Sequence, residues 1–262
     1  DEELWLATAD IKSCFRFPRI HPCVTGAFSF MFAFLGLCFI TTAMVFGYAA
    51  SANCWETFRR AIEVMSRVVF KRIGNDSMMH QEYLDMLEYD ELPPKGTKFT
   101  RAKPCSINKG YVDEAGHEKP FGARIYVDDS LLCAPCSQMK RLLRSMIEAI
   151  FILCGRPDTA RRPCPLAQDK WVGMRVAHEK ILLGLYYNTR GLIVGIPKDY
   201  IVEVHELLTS TWHRNRKSFT LSELQKLLGK VARLGMACNW VYHLLSHLHQ
   251  STAFVISKNT EH

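Results

Sequence analysis

Three aspartates carry the clearest chemical signal in this chain of 262 residues. Asp128 and Asp129 stand together within ARIYVDDSLLC, a stretch otherwise rich in strand-forming residues, although aspartate is disfavoured in strands. A tight turn between two strands would explain the pair, and so would a site for divalent cations. The second interpretation needs a third acid, and Asp10 supplies one where a predicted first strand ends.

Carboxylates held by neighbouring strands suit two-metal phosphoryl transfer. Two Mg²⁺ ions about 4 Å apart need rigid bridging carboxylates, one ion activating a hydroxyl and the other stabilising the leaving oxygen. Adjacent acids also repel each other, so the pair costs stability unless a cation is bound. We therefore expect Asp10, Asp128 and Asp129 to bind two Mg²⁺ ions, with Mn²⁺ as a substitute.

The composition fits a folded chain with a modest positive charge. Hydrophobic residues make up 48% and charged residues 23%, which allows a packed core and argues against disorder. The net charge of +7 is compatible with a polyanionic partner but does not identify one. The 10 cysteines are scattered and no secretion signal is evident, so we expect reduced thiols and an intracellular protein.

One long uncharged run raises the alternative of a membrane protein. No charged residue occurs from Val24 to Trp55, which is long enough to span a bilayer. Alternating phenylalanines over 28–34 and a break at Gly36 indicate instead two buried strands joined by a turn. We therefore expect no membrane span, whereas a span over 27–49 would require detergent for solubility.

The rest of the pattern predicts an α+β protein with an antiparallel sheet. Apolar residues at helical spacing predict helices at 53–71, 137–154, 198–211 and 220–248. Besides the hairpins already described, strands are predicted at 4–12, 171–176, 181–187 and 191–196. Thr220 and Glu223 have the spacing of a capping box at the start of the last helix.

A polar region interrupts this pattern. Residues 73–120 are rich in proline and lysine around LPPKGTKFTRAKP. We expect an insertion or long loop there, with one short helix near 80–87. The sequence does not indicate what this region does.

The order of the motifs resembles that of reverse transcriptases. ADIKSCFRFPRIHP is similar to motif A, FGYAASANCWETF (46–58) to motif B, and YVDD (126–129) to motif C. KWVGMRVAHEKILLGL (170–185) resembles the strand pair of the primer grip. LQKLLGKVARL (224–234) resembles a helix of gypsy-type and DIRS-like retrotransposon enzymes. The resemblance covers nearly the whole chain apart from 73–120.

The resemblance implies an α+β right-hand polymerase fold. Residues 1–187 would form the palm, an antiparallel sheet with helices, and 73–120 would be inserted in it. Residues 188–262 would form a mostly helical thumb or connection. The chain starts nine residues before Asp10, so most of the fingers subdomain would be missing.

The resemblance also implies an activity and its reacting groups. The chain would be an RNA-directed DNA polymerase that uses deoxynucleoside triphosphates to extend a primer on an RNA or DNA template. Asp10 and Asp128 would be the main metal ligands, and Asp129 the supporting carboxylate. The carbonyl of Ile11 would complete one metal site. Phe15 would lie under the sugar and exclude a 2′-hydroxyl, which loses its hydrogen bonds against an apolar ring.

Further positions would contact the nucleotide and the primer. Gly47 would let the backbone approach the template base pair. Trp171, Val172 and Gly173 would hold the primer strand. Lys170, next to them, is a candidate for protonating the leaving pyrophosphate.

The basic loop HRNRK lies between two predicted helices. As an ordinary loop it would only be solvated, whereas in a thumb Arg214 and Arg216 would touch phosphates without reading sequence. In that case charge reversal at both arginines would weaken template binding and its salt dependence.

Two other groups have metal-ligand spacing. Cys133 and Cys136 form a CxxC pair, but no second pair stands at a matching interval, so we expect incidental thiols. His243 and His247 share a helix face and His249 is near them, but no third ligand is evident. We expect these histidines to be solvated or to pack.

Departures from the family pattern keep a second hypothesis open. Ser51-Ala52 stands where motif B has Ala-Pro, and Glu56 where glutamine is frequent. Motifs B and C are also further apart than usual, and the fingers would be missing. The alternative is a truncated, non-catalytic remnant that at most binds nucleic acid. The element class, the template preference and the oligomeric state stay open.

Overall fold

The computed structural model describes residues 3–32, 34, 36–44, 49–90, 122–157, 163–213, 215–238 and 240–260. The chain divides into two compact units, Asp1–His178 and Glu179–His262. Each unit contains helices and strands, so the predicted α+β class is confirmed. The assignment of a palm to 1–187 and a thumb to 188–262 stays a prediction.

Secondary structure accounts for most of the described residues. In chain order, their strands are β1 (Leu4–Asp10), β2 (Phe30–Phe32), β3 (Leu37–Phe39), β4 (Glu88–Tyr89), β5 (Gly122–Tyr126), β6 (Asp129–Pro135), β7 (Arg175–Val176), β8 (Glu179–Leu182), β9 (Leu185–Asn188) and β10 (Ile193–Gly195). Their α-helices are α1 (Ala49–Arg72), α2 (Gln81–Leu84), α3 (Cys136–Cys154), α4 (Gln168–Trp171), α5 (Lys198–Ser210), α6 (Leu221–Gly235) and α7 (Val241–Thr260). Short 3₁₀ segments span Cys14–Arg16 and Pro22–Phe28.

An antiparallel sheet of β1, β6 and β5 forms the centre of the first unit, with β6 in the middle. β1 pairs with β6 along its whole length, and Asp10 lies opposite Asp129. β5 and β6 form a hairpin whose turn consists of Val127 and Asp128. The predicted first strand and the predicted YVDD hairpin are therefore confirmed.

Helices α1 and α3 bury the apolar faces that predicted them. Trp55, Ile62 and Val69 of α1 are buried, and α1 begins at Ala49, four residues before the predicted start. In α3 the six predicted core positions are all buried: Met139, Leu142, Leu143, Met146, Ile147 and Ile150. Both helices belong to the main hydrophobic core of the first unit, together with the inner face of the sheet.

Part of the segment 73–90 packs into this core, while the insertion or long loop at 73–120 stays a prediction. Tyr83 and Leu84 of α2 are buried, and α2 is shorter than the predicted helix at 80–87. β4 pairs in parallel with β7, and the indole N–H of Trp171 donates to the carbonyl of Tyr83 at 2.7 Å. Residues 91–121 lie outside the described part of the chain.

A buried hydrogen-bonded pair connects this segment to α3. His80 Nε2 lies 2.9 Å from Glu148 Oε2, and both side chains are buried. Arg156 donates to the other carboxylate oxygen at 2.5 Å. The His80 ring also meets the Phe151 ring edge-on, with centroids 5.1 Å apart. Burial of a carboxylate is tolerated here because two donors satisfy it.

The hairpin predicted in the uncharged run is present, but it is not buried. β2 and β3 pair antiparallel, with Phe30 opposite Phe39. Met31, Leu37 and Phe39 are exposed, in contrast to the buried strands that we expected. Alternation of apolar residues predicts a strand but does not show whether other parts of the protein cover that strand. No helix in the described residues has the length and apolarity needed to cross a membrane.

The second unit contains an antiparallel sheet in the order β10, β9, β8. The predicted strand at 181–187 is interrupted by a two-residue turn, with positive φ at Leu183 and Gly184. The turn was not predicted because the apolar run ILLGLYY shows no polar break in the sequence. β8 therefore pairs with β9 and β7 with β4, so the strands predicted at 171–176 and 181–187 do not form the strand pair that the resemblance to a primer grip implied.

The helices of the second unit follow the sequence pattern only in part. α5 matches its prediction to within one residue at its end. The predicted helix at 220–248 is two helices, α6 and α7, because α6 ends at Gly235. The capping box is confirmed, since Thr220 Oγ1 accepts from the Glu223 N–H at 3.3 Å and Glu223 Oε2 accepts from the Thr220 N–H at 2.9 Å.

We expect His80→Ala to lower the free energy of unfolding by roughly 2–3 kcal/mol, because Glu148 would stay buried with one donor fewer. Urea denaturation followed by tryptophan fluorescence measures this change. His249→Ala, at an exposed position of α7, is the control and should change stability by less than about 0.5 kcal/mol. Equal effects of both substitutions would contradict the proposed role of the buried pair.

Candidate active site

Two strand ends and one turn bring the three predicted aspartates together. Asp10 is the last residue of β1, Asp129 is the first residue of β6, and their Cα positions are paired in the sheet. The backbone N–H of Ile11 donates to the carbonyl of Asp128 at 3.0 Å. Ser130 Oγ adds a bond to the carbonyl of Ala9 at 2.8 Å. The carboxylates are thus attached to a backbone that is fixed on both sides.

The turn that carries Asp128 is strained and is held from α1. Val127 has φ +56°, a left-handed conformation that is costly for a β-branched residue. The buried indole N–H of Trp55 donates to the Val127 carbonyl at 2.5 Å. Glu63 of α1 accepts from the N–H of Ile125 at 3.0 Å, one strand residue before Tyr126. Helix spacing predicted Trp55 as a core residue only, and no sequence signal indicates its bond to the turn.

The opposite wall of the site is the segment 163–171. The Ala167 N–H donates to the carbonyl of Asp10 at 3.1 Å, and the Lys12 N–H donates to the carbonyl of Pro165 at 2.8 Å. The ammonium of Lys170 forms an ion pair with Asp10 Oδ2. Lys170 is therefore a direct neighbour of the acidic cluster.

These walls enclose a cleft of about 710 Å³. The residues that line it are Asp10, Lys12, Ser13, Asp128, Pro163, Cys164, Leu166, Ala167, Gln168, Asp169 and Lys170. A second cleft of about 440 Å³ is lined by Ser13, Phe15, Arg16 and the segment 40–44. Because Ser13 lines both clefts, the acidic cluster and Phe15 belong to adjoining spaces.

The acids destabilise one another. Burial raises the pKa of the Asp129 carboxyl, and the charges of Asp128 and Asp10 raise this pKa further. The hydrogen bond to Asp10 in turn raises the pKa of Lys170, so its ammonium stays charged. The cluster therefore favours a bound cation, and in this conformation Lys170 supplies one positive charge.

The donor set fits a hard divalent cation. Mg²⁺ prefers oxygen ligands, and Asp10 and Asp128 both present carboxylates to one cleft. Their repulsion with Asp129 would be relieved by an ion. Among the described residues, however, no group of three or more His, Cys, Asp or Glu side chains is positioned to hold a metal ion. The two Mg²⁺ ions stay a prediction, which requires Asp10 to part from Lys170.

Two more predicted residues lie at or near these clefts, Ile11 and Phe15. Ile11 is fully buried and contributes its backbone to the bridge with Leu166. Phe15 is only 7% exposed, so its ring packs mainly in the core. The residue also lines one side of the second cleft. Gly47 lies outside the described residues.

The predicted primer-grip residues do not form a strand. Trp171 ends the helix α4, is 1% exposed and donates inward to Tyr83. Val172 is exposed, and Gly173 has φ +71° in the turn that follows. The Trp171 side chain is therefore a core residue, and a primer contact would have to come from Val172 and Gly173.

The basic loop is in the second unit, and its arginine is already engaged. Arg216 Nη2 lies 2.8 and 2.9 Å from the two carboxylate oxygens of Glu223. The same guanidinium lies over the Phe219 ring at 4.8 Å, and Phe219 stacks on Trp212 at 3.8 Å. Arg216 thus stabilises the loop, and its phosphate contact stays a prediction. Arg214 lies outside the described residues.

The incidental roles expected for the other groups with metal-ligand spacing stay a prediction. Cys133 and Cys136 form no disulfide in the described part of the chain, and burial raises the pKa of Cys133 to about 11. His243, His247 and His249 are exposed on α7.

Comparison with known proteins identifies the fold only. A scan against models of protein families found no match, and a search of curated proteins also found none. Among solved structures, the chain is similar to a foamy viral protease-reverse transcriptase in complex with double-stranded DNA, with a TM-score of 0.50 and 13% sequence identity. The similarity covers 94% of this chain and 31% of that chain. At this identity it shows a reverse-transcriptase-like fold and no more.

We expect Asp129→Asn to raise the melting temperature of the metal-free chain by about 1–4 °C, because it removes a carboxylate that burial and like charges disfavour. Since folding raises this pKa, ionised Asp129 costs stability at neutral pH, and the gain should shrink as the pH is lowered and Asp129 becomes protonated. Melting curves in EDTA at several pH values measure this. Asp169→Asn, an exposed acid of the same cleft, should give no such gain. A lower melting temperature for Asp129→Asn would contradict the argument.

Proposed function

We propose that this chain carries the nucleotidyl-transfer site of an RNA-directed DNA polymerase. The observation that supports this best is the register of β1 with β6, which places Asp10 opposite Asp129 beside the strained YVDD turn. The reverse-transcriptase-like fold adds to it. A purely structural role would not require three mutually repelling carboxylates at two paired strand ends and the adjoining turn.

The reaction joins the primer 3′-oxygen to the α-phosphorus of a deoxynucleoside triphosphate and releases pyrophosphate. Two Mg²⁺ ions bound there would lower the pKa of the 3′-hydroxyl and stabilise the charge on the leaving oxygen. Asp10 and Asp128 would hold the ions, and Asp129 would support them from the adjacent strand. Trp55 and the Ile11 backbone keep these carboxylates in place, since small displacements at a catalytic site cost large factors in rate.

The two adjoining clefts bind different parts of the nucleotide. The triphosphate lies in the cleft of about 710 Å³, where Lys170 offers a positive charge and a proton for the leaving pyrophosphate. The sugar lies towards Phe15, and a 2′-hydroxyl pressed against this apolar ring would lose its hydrogen bonds to water. Ser13, which lines both clefts, marks the boundary between phosphate and sugar.

On this proposal the two units take the roles of a polymerase palm and a thumb or connection. The foamy viral neighbour was solved with double-stranded DNA, and we extend binding of a primer–template duplex to this chain as part of the proposal. The motifs quoted above favour a retrotransposon source, gypsy-type or DIRS-like.

Primer extension tests the proposal directly. We expect the chain to extend a DNA primer on an RNA template with Mg²⁺, and Asp128→Asn to reduce the rate by roughly a hundredfold or more, because a metal ligand is lost. Asp169→Asn removes a carboxylate from the same cleft and should retain most of the activity. Absence of extension by the unmodified chain, with the primer–template still bound, would support the non-catalytic remnant instead.

We expect Phe15→Val to raise the incorporation of ribonucleotides relative to deoxynucleotides by about tenfold or more, because the smaller side chain admits a 2′-hydroxyl. Single-nucleotide incorporation with matched ribo- and deoxynucleotides measures the ratio. Phe17→Val is the matched control, since Phe17 packs against the same core but does not line the second cleft. The role of Phe15 would be refuted by an unchanged ratio.

A further inference from the structure

The Lys170 ammonium lies directly against the carboxylate of Asp10, one of the proposed metal ligands. The Asp10 side chain is only 12% exposed, and Lys170 Nζ contacts its Oδ2 directly. The hydrogen bond raises the pKa of Lys170, and the nearby charges of Asp128 and Asp129 act in the same direction. In this conformation the ammonium therefore neutralises part of the acidic cluster.

The fold places Lys170 there. The Ala167 N–H donates to the carbonyl of Asp10 at 3.1 Å, which ties the segment before Lys170 to the aspartate itself. Trp171, the next residue, is buried, and its indole bonds to the Tyr83 carbonyl at 2.7 Å. The backbone of Lys170 is thus held between two anchored residues, Ala167 and Trp171. This placement brings its side chain within reach of Asp10.

The side chain itself can leave without repacking the core. The Lys170 side chain is 62% exposed, and a lysine carries its charge on a flexible four-carbon stem. An ion pair open to water is held weakly, so a divalent ion with several oxygen ligands can compete for the same carboxylate. The anchored backbone then keeps the released ammonium at the edge of the cleft.

We propose that Lys170 is an intramolecular counterion, which holds the metal position at Asp10 in the metal-free chain and is displaced when a divalent cation binds. The exchange moves one ammonium and transfers no proton. This inference rests on the proposed function in one respect, that the acidic cleft binds Mg²⁺ or Mn²⁺. It adds that Lys170 lowers the affinity of the site for a divalent cation. A cation that binds at Asp10 must first break the ion pair between Lys170 and Asp10.

The test is a titration of the purified full chain with Mn²⁺ alone, in which the free ion is measured by electron paramagnetic resonance. We expect Lys170→Met to bind Mn²⁺ about tenfold more tightly than the unmodified chain, because no ammonium has to be displaced. Lys170→Arg retains the charge and should keep the weak affinity. Asp10→Asn should lose the binding.

Lys12→Met is the matched control. Lys12 lines the same cleft, and no ion pair joins it to a carboxylate among the described residues. The Lys12→Met variant measures how much the loss of one positive charge in the cleft changes Mn²⁺ affinity by itself. We expect it to tighten Mn²⁺ binding by no more than about threefold. Melting curves of all variants verify that each is folded.

The outcomes separate this inference from the proposed function. Equal affinity of Lys170→Met and Lys12→Met would refute the counterion role, while Mn²⁺ binding and primer extension by the unmodified chain would leave the polymerase proposal intact. Failure of both the unmodified chain and Lys170→Met to bind Mn²⁺ would overturn the counterion role together with the proposed metal site.

Discussion

Electrostatic repulsion among three carboxylates is the constraint on which the first unit depends. The register of β1 with β6 puts Asp10 opposite Asp129, and the turn adds Asp128 beside them. Like charges at this spacing oppose folding, so the surrounding structure has to hold them together. It does so with backbone hydrogen bonds on both sides of the cluster and with one ammonium, that of Lys170.

The hydrophobic core of the first unit also supports the turn. A left-handed valine is unfavourable by itself, and it persists only where neighbouring groups fix it. Trp55 fixes Val127 through its indole N–H, and α1 can position that indole because it packs on α3 and the sheet. The apolar core therefore supplies the energy that keeps an unfavourable polar site in one geometry.

The sequence predicted the parts of the fold that have a regular period. Long helices such as α1 and α3 and the YVDD hairpin repeat their apolar residues often enough to be recognised, and the residues of motifs A and C led to the acidic cluster. Elements of two to four residues, such as α2, α4 and β4, have no measurable period. The parallel pairing of β4 with β7 and the bond from Trp55 to Val127 join residues far apart in sequence, so no local pattern reports them.

The segment 73–90 shows how a region without motifs can still determine the chemistry of the site. It accepts the indole bond of Trp171, and its strand β4 pairs with β7 a few residues further on. Both contacts fix the piece of chain that carries Lys170, and His80 in turn fixes the segment to α3. The position of the ammonium at Asp10 therefore depends on packing more than 70 residues away in sequence, and on the buried hydrogen bond between His80 and Glu148 that anchors this segment.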